Sequence, residues 1–384
     1  MKRVFWFCPE NDIALGRGCA GFTPPRQAAL LARYGAPLMW WMGGEGDYVL
    51  LPETGDAGYR EEFARWEEMV TRRFGRGPHF VTSLEGLDIG RLEPWGWSAY
   101  GIGRLLKLGA PRDLIAVAER NVDGIRRLSH RRSAGLINDA LAHSVDFGIY
   151  GQPFPKAALE AFAPGDVRNF ALDCEAFYLK SPWSSSGRGV VCSDAVPFDK
   201  LLERCEGIIR SQGSVMLEPA YDKVADFAML FHADGTGEVR FHGYSRFFNS
   251  RDTSYGGNVI APGLEIFEEI SLMVPEPLLH DVRDNLEQIL GAMTGTAYCG
   301  LLGIDMMIAR DPSGRYMLVP CVELNLRMTM GHVAHAVYSR TLCHGIMKIA
   351  PAASATGAIF NLVPKNDYFN ISMFSALGNP QSRL

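Results

Sequence analysis

Two stretches carry residue types at spacings that can do chemistry. In the first, Lys180 ends the apolar run from Phe177 and leads into Ser181-Pro182-Trp183-Ser184-Ser185-Ser186-Gly187-Arg188-Gly189, after which a second run starts at Val190. A small-residue hairpin behind a lysine can close over a chain of phosphates, its N–H groups and hydroxyls meeting the oxygens while the ammonium adds a point charge. A plain turn between two strands uses the same residues. The Gly-x-x-x-x-Gly-Lys-Ser/Thr pattern is absent and strand, not helix, follows the glycines, which excludes the P-loop.

The second stretch pairs Gly303-Ile304-Asp305-Met306-Met307 with Val322-Glu323-Leu324-Asn325-Leu326-Arg327 across the turn Asp311-Pro312-Ser313-Gly314. Asp305 and Glu323 interrupt apolar strands, where a carboxylate is costly without a partner. The partner is either an arginine or a divalent cation, and magnesium takes one or two carboxylates together with phosphate and water oxygens. Strand alternation puts Glu323, Asn325 and Arg327 on one face.

Taken in chain order, these stretches resemble the ATP-grasp superfamily over residues 121 to about 340. The resemblance implies an ATP-grasp fold with ATP between two antiparallel-sheet lobes, behind an N-terminal parallel-sheet domain that contributes the acceptor site. It implies ATP and Mg2+ (or Mn2+), with Asp305, Glu323 and Asn325 as metal ligands. Lys180, Ser184, Ser185, Ser186, Gly187 and Gly189 would hold phosphate. By position Glu218 would meet the adenine and Asp226, in place of the usual glutamate, the ribose. An exposed acid on an edge strand is the alternative for Asp226. Arg131, in Ser129-His130-Arg131-Arg132, falls where the family has a phosphate-binding lysine, or is one of a solvated basic pair. Arg246 falls where the family places a cation at the terminal phosphate. Arg327 would face an anionic acceptor, unless it forms an internal ion pair. The loop departs from the family in Pro182, Trp183 and its three serines, which implies a stiffer lid.

The reaction so implied is phosphoryl transfer from ATP to a small-molecule carboxylate and attack by an amine or thiol, with Lys180, Arg246 and Arg327 at the chemistry. A small-molecule kinase on the same fold is one rival, and a nucleotide-binding regulator without turnover another. Asn249, Arg251 and Asn258 lie in a polar loop that either meets the acceptor or is plain surface. His332 and His335 share a helical face and are expected to be structural, since further metal ligands are missing. Asn11 and Asp12 follow the first strand, where open parallel sheets bind ligands or where a turn is simply capped.

The elements that must position these groups follow from apolar patterning. In the first third, Val4 to Phe7 and Pro37 to Trp41 are predicted strands around a helix from Pro24 to Tyr34, with Thr23 as its cap and Gly35 in the left-handed position that ends it. This is the grammar of a small parallel sheet. Helices are predicted over 61–74 and 98–108, then a helical stretch to about residue 143, with a domain boundary at 120. From Ala176 onward strands dominate. Length favours more than one subdomain at 384 residues, and 47% apolar with 21% charged residues is a folded composition. A net charge of −5 with no basic block argues against nucleic acid. Eight cysteines without close pairing read as reduced thiols, and the short apolar start after Met1-Lys2-Arg3 implies no signal peptide and the cytoplasm. Partners are then small molecules, with no membrane and a homodimer left open.

Overall fold

The computed structural model describes residues 1–53, 55–184, 189–249, 255–354 and 357–375. The first 128 residues alternate strand and helix: β1 (Arg3–Trp6), α1 (Asn11–Arg17), α2 (Arg26–Gly35), β2 (Tyr48–Leu50), α3 (Ala57–Phe74), β3 (His79–Val81), β4 (Arg91–Pro94), α4 (Ala99–Lys107) and α5 (Arg112–Leu128). The strands pair in parallel in the order β3-β2-β1-β4. Asp56 and Ser98 cap α3 and α4 by accepting the N–H groups of Tyr59 (3.1 Å) and Gly101 (3.2 Å).

The expected strand over Pro37 to Trp41 is instead a 3-10 turn, Ala36–Trp41, with all six residues buried. A continuous apolar run carries no period, so strand and buried helical turn look alike in sequence. Gly35 is not left-handed either: its φ is −89° and the chain passes straight from α2 into the turn. Glycine is required there for closeness, since a Cβ would stand 2.8 Å from the Phe7 ring. Pro25, not Thr23, precedes α2, and no side chain caps it.

After α6 (Arg132–Ser144) come β5 (Leu159–Ala161), α7 (Pro164–Asp173), β6 (Phe177–Lys180), β7 (Val190–Cys192), α8 (Phe198–Gln212) and β8 (Val215–Pro219). They form a small lobe, an antiparallel sheet in the order β5-β8-β6-β7 with its own core of Phe177, Leu179, Leu201, Val215 and Leu217. Because strand neighbours alternate, burying Phe177 and Leu179 turns Tyr178 and Lys180 to the other side.

The remainder builds one antiparallel sheet, β13-β12-β9-β10-β11-β14-β16-β15, from β9 (Asp222–Asp234), β10 (Val239–Asn249), β11 (Tyr255–Ile260), β12 (Cys299–Arg310), β13 (Tyr316–Asn325), β14 (Gly345–Pro351), β15 (Ala358–Asn361) and β16 (Phe369–Phe374). Helices α9 (Gly263–Ser271) and α10 (Glu276–Thr294) cover one face, and α11 (Met330–Thr341) lies on the other. The expected pair of antiparallel lobes behind a parallel sheet is thus present.

A single hydrophobic core joins the N-terminal sheet to the large sheet, whereas the small lobe keeps its own. The boundary expected at residue 120 falls inside α5. Arg327 forms a bridge with Gly96, Met328 donates to the Trp95 carbonyl (2.8 Å), and the Trp41 and Trp66 indoles donate to Leu362 and Asn361 (2.8 and 3.1 Å). Among the described residues all eight cysteines are free, and no helix is long and apolar enough to cross a membrane.

Candidate functional site

Where the small lobe, the large sheet, α6 and the C-terminal ends of β1 and β4 meet, they enclose a cleft of about 790 Å3. Arg131, Lys180, Glu218, Asp226, Asp305, Glu323, Asn325 and Arg327 all line it. Residues nearly 200 positions apart in sequence are brought together because each strand spends one face on a core and has only the other left for polar groups.

The carboxylates form its floor. Asp305 and Glu323 are direct cross-strand partners, as are Gly303 and Asn325. Between Asp305–Glu323 and Met307–Val319, two steps along β12 oppose four along β13, so β13 bulges across Pro320, Cys321 and Val322. Pro320 lacks the N–H that an unbroken ladder would need there. The low-dielectric cleft and the facing Glu323 push the Asp305 carboxyl up to about 7, against the hydrogen bond from Asn325 and the Arg327 charge. Two such carboxylates with an amide oxygen beside them make a hard-oxygen donor set in need of positive charge, which fits magnesium. Among the described residues no cluster of three His, Cys, Asp or Glu offers a rival metal site.

The raised Asp305 carboxyl fixes a sign for pH dependence. The folded protein holds this proton more tightly than the unfolded chain, whose value is 3.8, so the contribution to stability is complete below that pH and lost as pH rises through about 7. In metal-free buffer the urea midpoint is expected to fall over that window more steeply in the wild type than in Asp305→Asn. Parallel curves would show that Asp305 does not hold the proton.

Cations stand above the floor. Arg131 Nη1 lies 3.0 Å from Glu323, and its Nη2 donates to the Ser184 hydroxyl at 3.3 Å. One guanidinium thus joins the carboxylates to the loop after β6, which excludes the solvated basic pair for Arg131. Lys180 pairs with Glu218 on the adjacent strand β8, so groups assigned separate tasks from sequence are each other's partners. Asp226 accepts from Lys223 (2.6 Å) and Asn249 (3.3 Å), and desolvation raises its carboxyl. Since β9 lies between β12 and β10, Asp226 is not on an edge strand.

Arg246 does not join them. Strand β10 runs on to Asn249, so Arg246 is internal to it, and Arg246 pairs at 2.6 Å with Glu269 of α9. Its neighbours Ser245 and Phe247 line the cleft, and alternation sends Arg246 to the opposite face. Arg327 does line the cleft but is also in the ion pair foreseen as its alternative, with Asp12 (Nε to Oδ1 3.0 Å and to Oδ2 2.8 Å). Asn258 is buried and bonded to Ser245 and Tyr255, not surface. His332 and His335 are structural as expected: His332 sits on the Thr329 cap and His335 donates to the Tyr244 carbonyl, burial holding both below their ordinary value. Ser185, Ser186, Gly187 and Arg251 lie outside the described residues.

The loop's stem is clamped in a way its sequence only hinted at through Trp183. The Trp183 amide donates to Gln212 Oε1 (3.0 Å), its carbonyl accepts from Gln212 Nε2 (3.2 Å), and its indole donates to the Arg126 carbonyl (2.9 Å). The Arg126 guanidinium lies 4.0 Å from the ring centroid, and His130 meets the ring edge-on at 4.6 Å. Across the stem Ser181 donates to the Gly189 carbonyl (2.8 Å). Gly189 has φ +71°, and a Cβ there would stand 2.4 Å from the Ser181 hydroxyl oxygen, so only glycine fits. Asp12, which the sequence left between ligand binding and capping a turn, stands in the first turn of α1 and pairs with Arg327, a partner the sequence did not suggest. The position of residues 8–12 after a parallel strand was the available signal.

No family model matches the sequence, and no curated protein matches it. Among solved structures the chain is similar to N5-carboxyaminoimidazole synthetase from Staphylococcus aureus, complexed with ADP, at 9% identity over 97% of this chain and 92% of that one, TM-score 0.48. It is also similar to a biotin carboxylase complex from Campylobacter jejuni (10%, 97% and 86%, TM-score 0.49) and to phosphoribosylamine–glycine ligase from Thermotoga maritima (13%, 96% and 90%, TM-score 0.48). These are likenesses of general architecture, and the cleft's own residues carry the reading that follows.

Proposed function

We propose that the chain is an ATP-grasp ligase, which binds ATP with Mg2+ in the cleft, phosphorylates a small-molecule carboxylate and leaves the acyl phosphate for an amine or thiol. The observation that carries this is the convergence on one cleft of opposed carboxylates, Asp305 and Glu323, with Lys180 and Arg131 facing them from the loop side. Such an arrangement suits a polyphosphate sandwiched between fixed cations and a carboxylate-bound metal.

In this reading Asp305, Glu323 and Asn325 hold magnesium, which when bound neutralises phosphate charge as the terminal group moves. Lys180 and Arg131 orient the phosphates, Glu218 and Asp226 lie where the nucleoside end is held, and the clamp on Trp183 fixes Ser184 relative to Arg131. The Arg327 Nη1 donates to the Met328 carbonyl and its Nε to Asp12. Among the described residues its Nη2 carries no hydrogen bond, which leaves one arm of the fork for an anionic acceptor. No protein nucleophile is required.

MgATP at a hundred times its dissociation constant is expected to raise unfolding free energy by about 2.7 kcal/mol, read as a higher melting temperature. No shift at millimolar nucleotide would contradict the assignment. For the reaction itself, a carboxylate labelled with heavy oxygen is expected to pass one labelled atom to inorganic phosphate in each turnover. Stable phosphorylated product with unlabelled phosphate would establish a kinase instead.

A further inference from the structure

The charged groups of the cleft are unevenly spread. Arg131, Lys180, Glu218, Lys223 and Asp226 lie just before α6, in the small lobe and on β9, while the end formed by β1, the start of α1, β4, α2, β10, β11, β14 and α11 has one ion pair among the described residues that line the cleft, Asp12 with Arg327 from beyond β13. Most of the rest of that end is apolar and only half-buried: Pro9, Leu31, Phe247, Tyr255, Met330 and Ile349 turn carbon surface into the cavity beside a few polar side chains, Gln27 and Thr329 among them.

Its polar groups are largely spent on one another. The Tyr255 hydroxyl donates to Asn258 Oδ1 at 2.6 Å, and Asn258 Nδ2 donates to the Ser245 hydroxyl at 3.0 Å. A phosphorylated or polyhydroxylated body placed here would surrender its hydration for few new partners, which is the costly case. An apolar body would instead cover exposed carbon surface and gain from the transfer.

We infer that the acceptor is a monocarboxylic acid with a compact apolar or aromatic body, seated among Leu31, Phe247, Met330 and Ile349 with its carboxylate toward the free arm of Arg327. The inference rests on the reaction proposed above and names its substrate class. The carboxylate oxygen attacks the terminal phosphorus of ATP and ADP leaves with the electron pair of the broken bond. Apolar walls also keep water from the acyl phosphate.

The test uses hydroxylamine as a general nucleophile: its nitrogen attacks the acyl carbon, phosphate leaves, a proton passes to buffer, and the hydroxamate is measured. With MgATP, phenylacetate and hexanoate are expected to give kcat/KM at least about tenfold above gluconate and citrate. Leu31→Asp is expected to erase that advantage while calorimetry shows unchanged MgATP affinity. Equal or better turnover of gluconate or citrate, or no hydroxamate from either apolar acid in protein that binds MgATP, overturns the acceptor class and spares the nucleotide site. Failure to bind MgATP overturns the parent reading instead. The order of acids on the wild-type protein decides the matter even if the variant does not fold.

Discussion

Asp305→Asn is expected to melt higher than the wild type and to lose turnover by more than about a hundredfold, since groups one shell beyond a metal ligand are already worth about 10–100-fold. The two effects share one cause. The wild-type carboxyl is raised to about 7 by the cleft and by Glu323, so at neutral pH and in metal-free buffer the site holds a charge the fold would sooner neutralise. Asparagine keeps the shape, removes the repulsion and removes the ligand charge, the trade of stability for activity common at functional sites. Thermal unfolding and ADP release measured on the same preparation decide it. A destabilised variant with near-wild-type turnover would take Asp305 out of the chemistry.

Lys180→Ala is expected to weaken MgATP binding about ten- to a hundredfold, the range for a lost hydrogen bond to a charged group. The lysine is held by Glu218, so its removal both deletes a phosphate contact and leaves a carboxylate facing the nucleotide without its cation. Adding Glu218→Gln is expected to recover part of the loss by removing that charge. Calorimetry on the single and double variants separates the terms. Wild-type affinity in Lys180→Ala would move the phosphates away from β6.

What could be read in the sequence was what depends on neighbours in the chain. The alternation in Val322 to Arg327 and the lysine before a small-residue turn are local, and the structure sets Glu323, Asn325 and Lys180 in one cleft. Arg246 failed because its face depends on where β10 ends, and Ser245-Arg246-Phe247-Phe248 has no clean two-residue period. The strand expected over Pro37 to Trp41 failed for the same want of a period. Docking of the N-terminal sheet was beyond reach, since Trp41 meets Leu362 and Asp12 meets Arg327 over separations of 321 and 315 residues, and nothing local records either.

The bulge across Pro320 to Val322 makes the site sensitive to chain length as well as to residue identity. Since side chains alternate, deleting one residue there would carry Glu323, Asn325 and Arg327 to the far side of the sheet, whereas deleting two would restore their facing. A family tree of such chains should therefore tolerate substitutions across the segment far more readily than single-codon losses, and a designer shortening it must count in pairs.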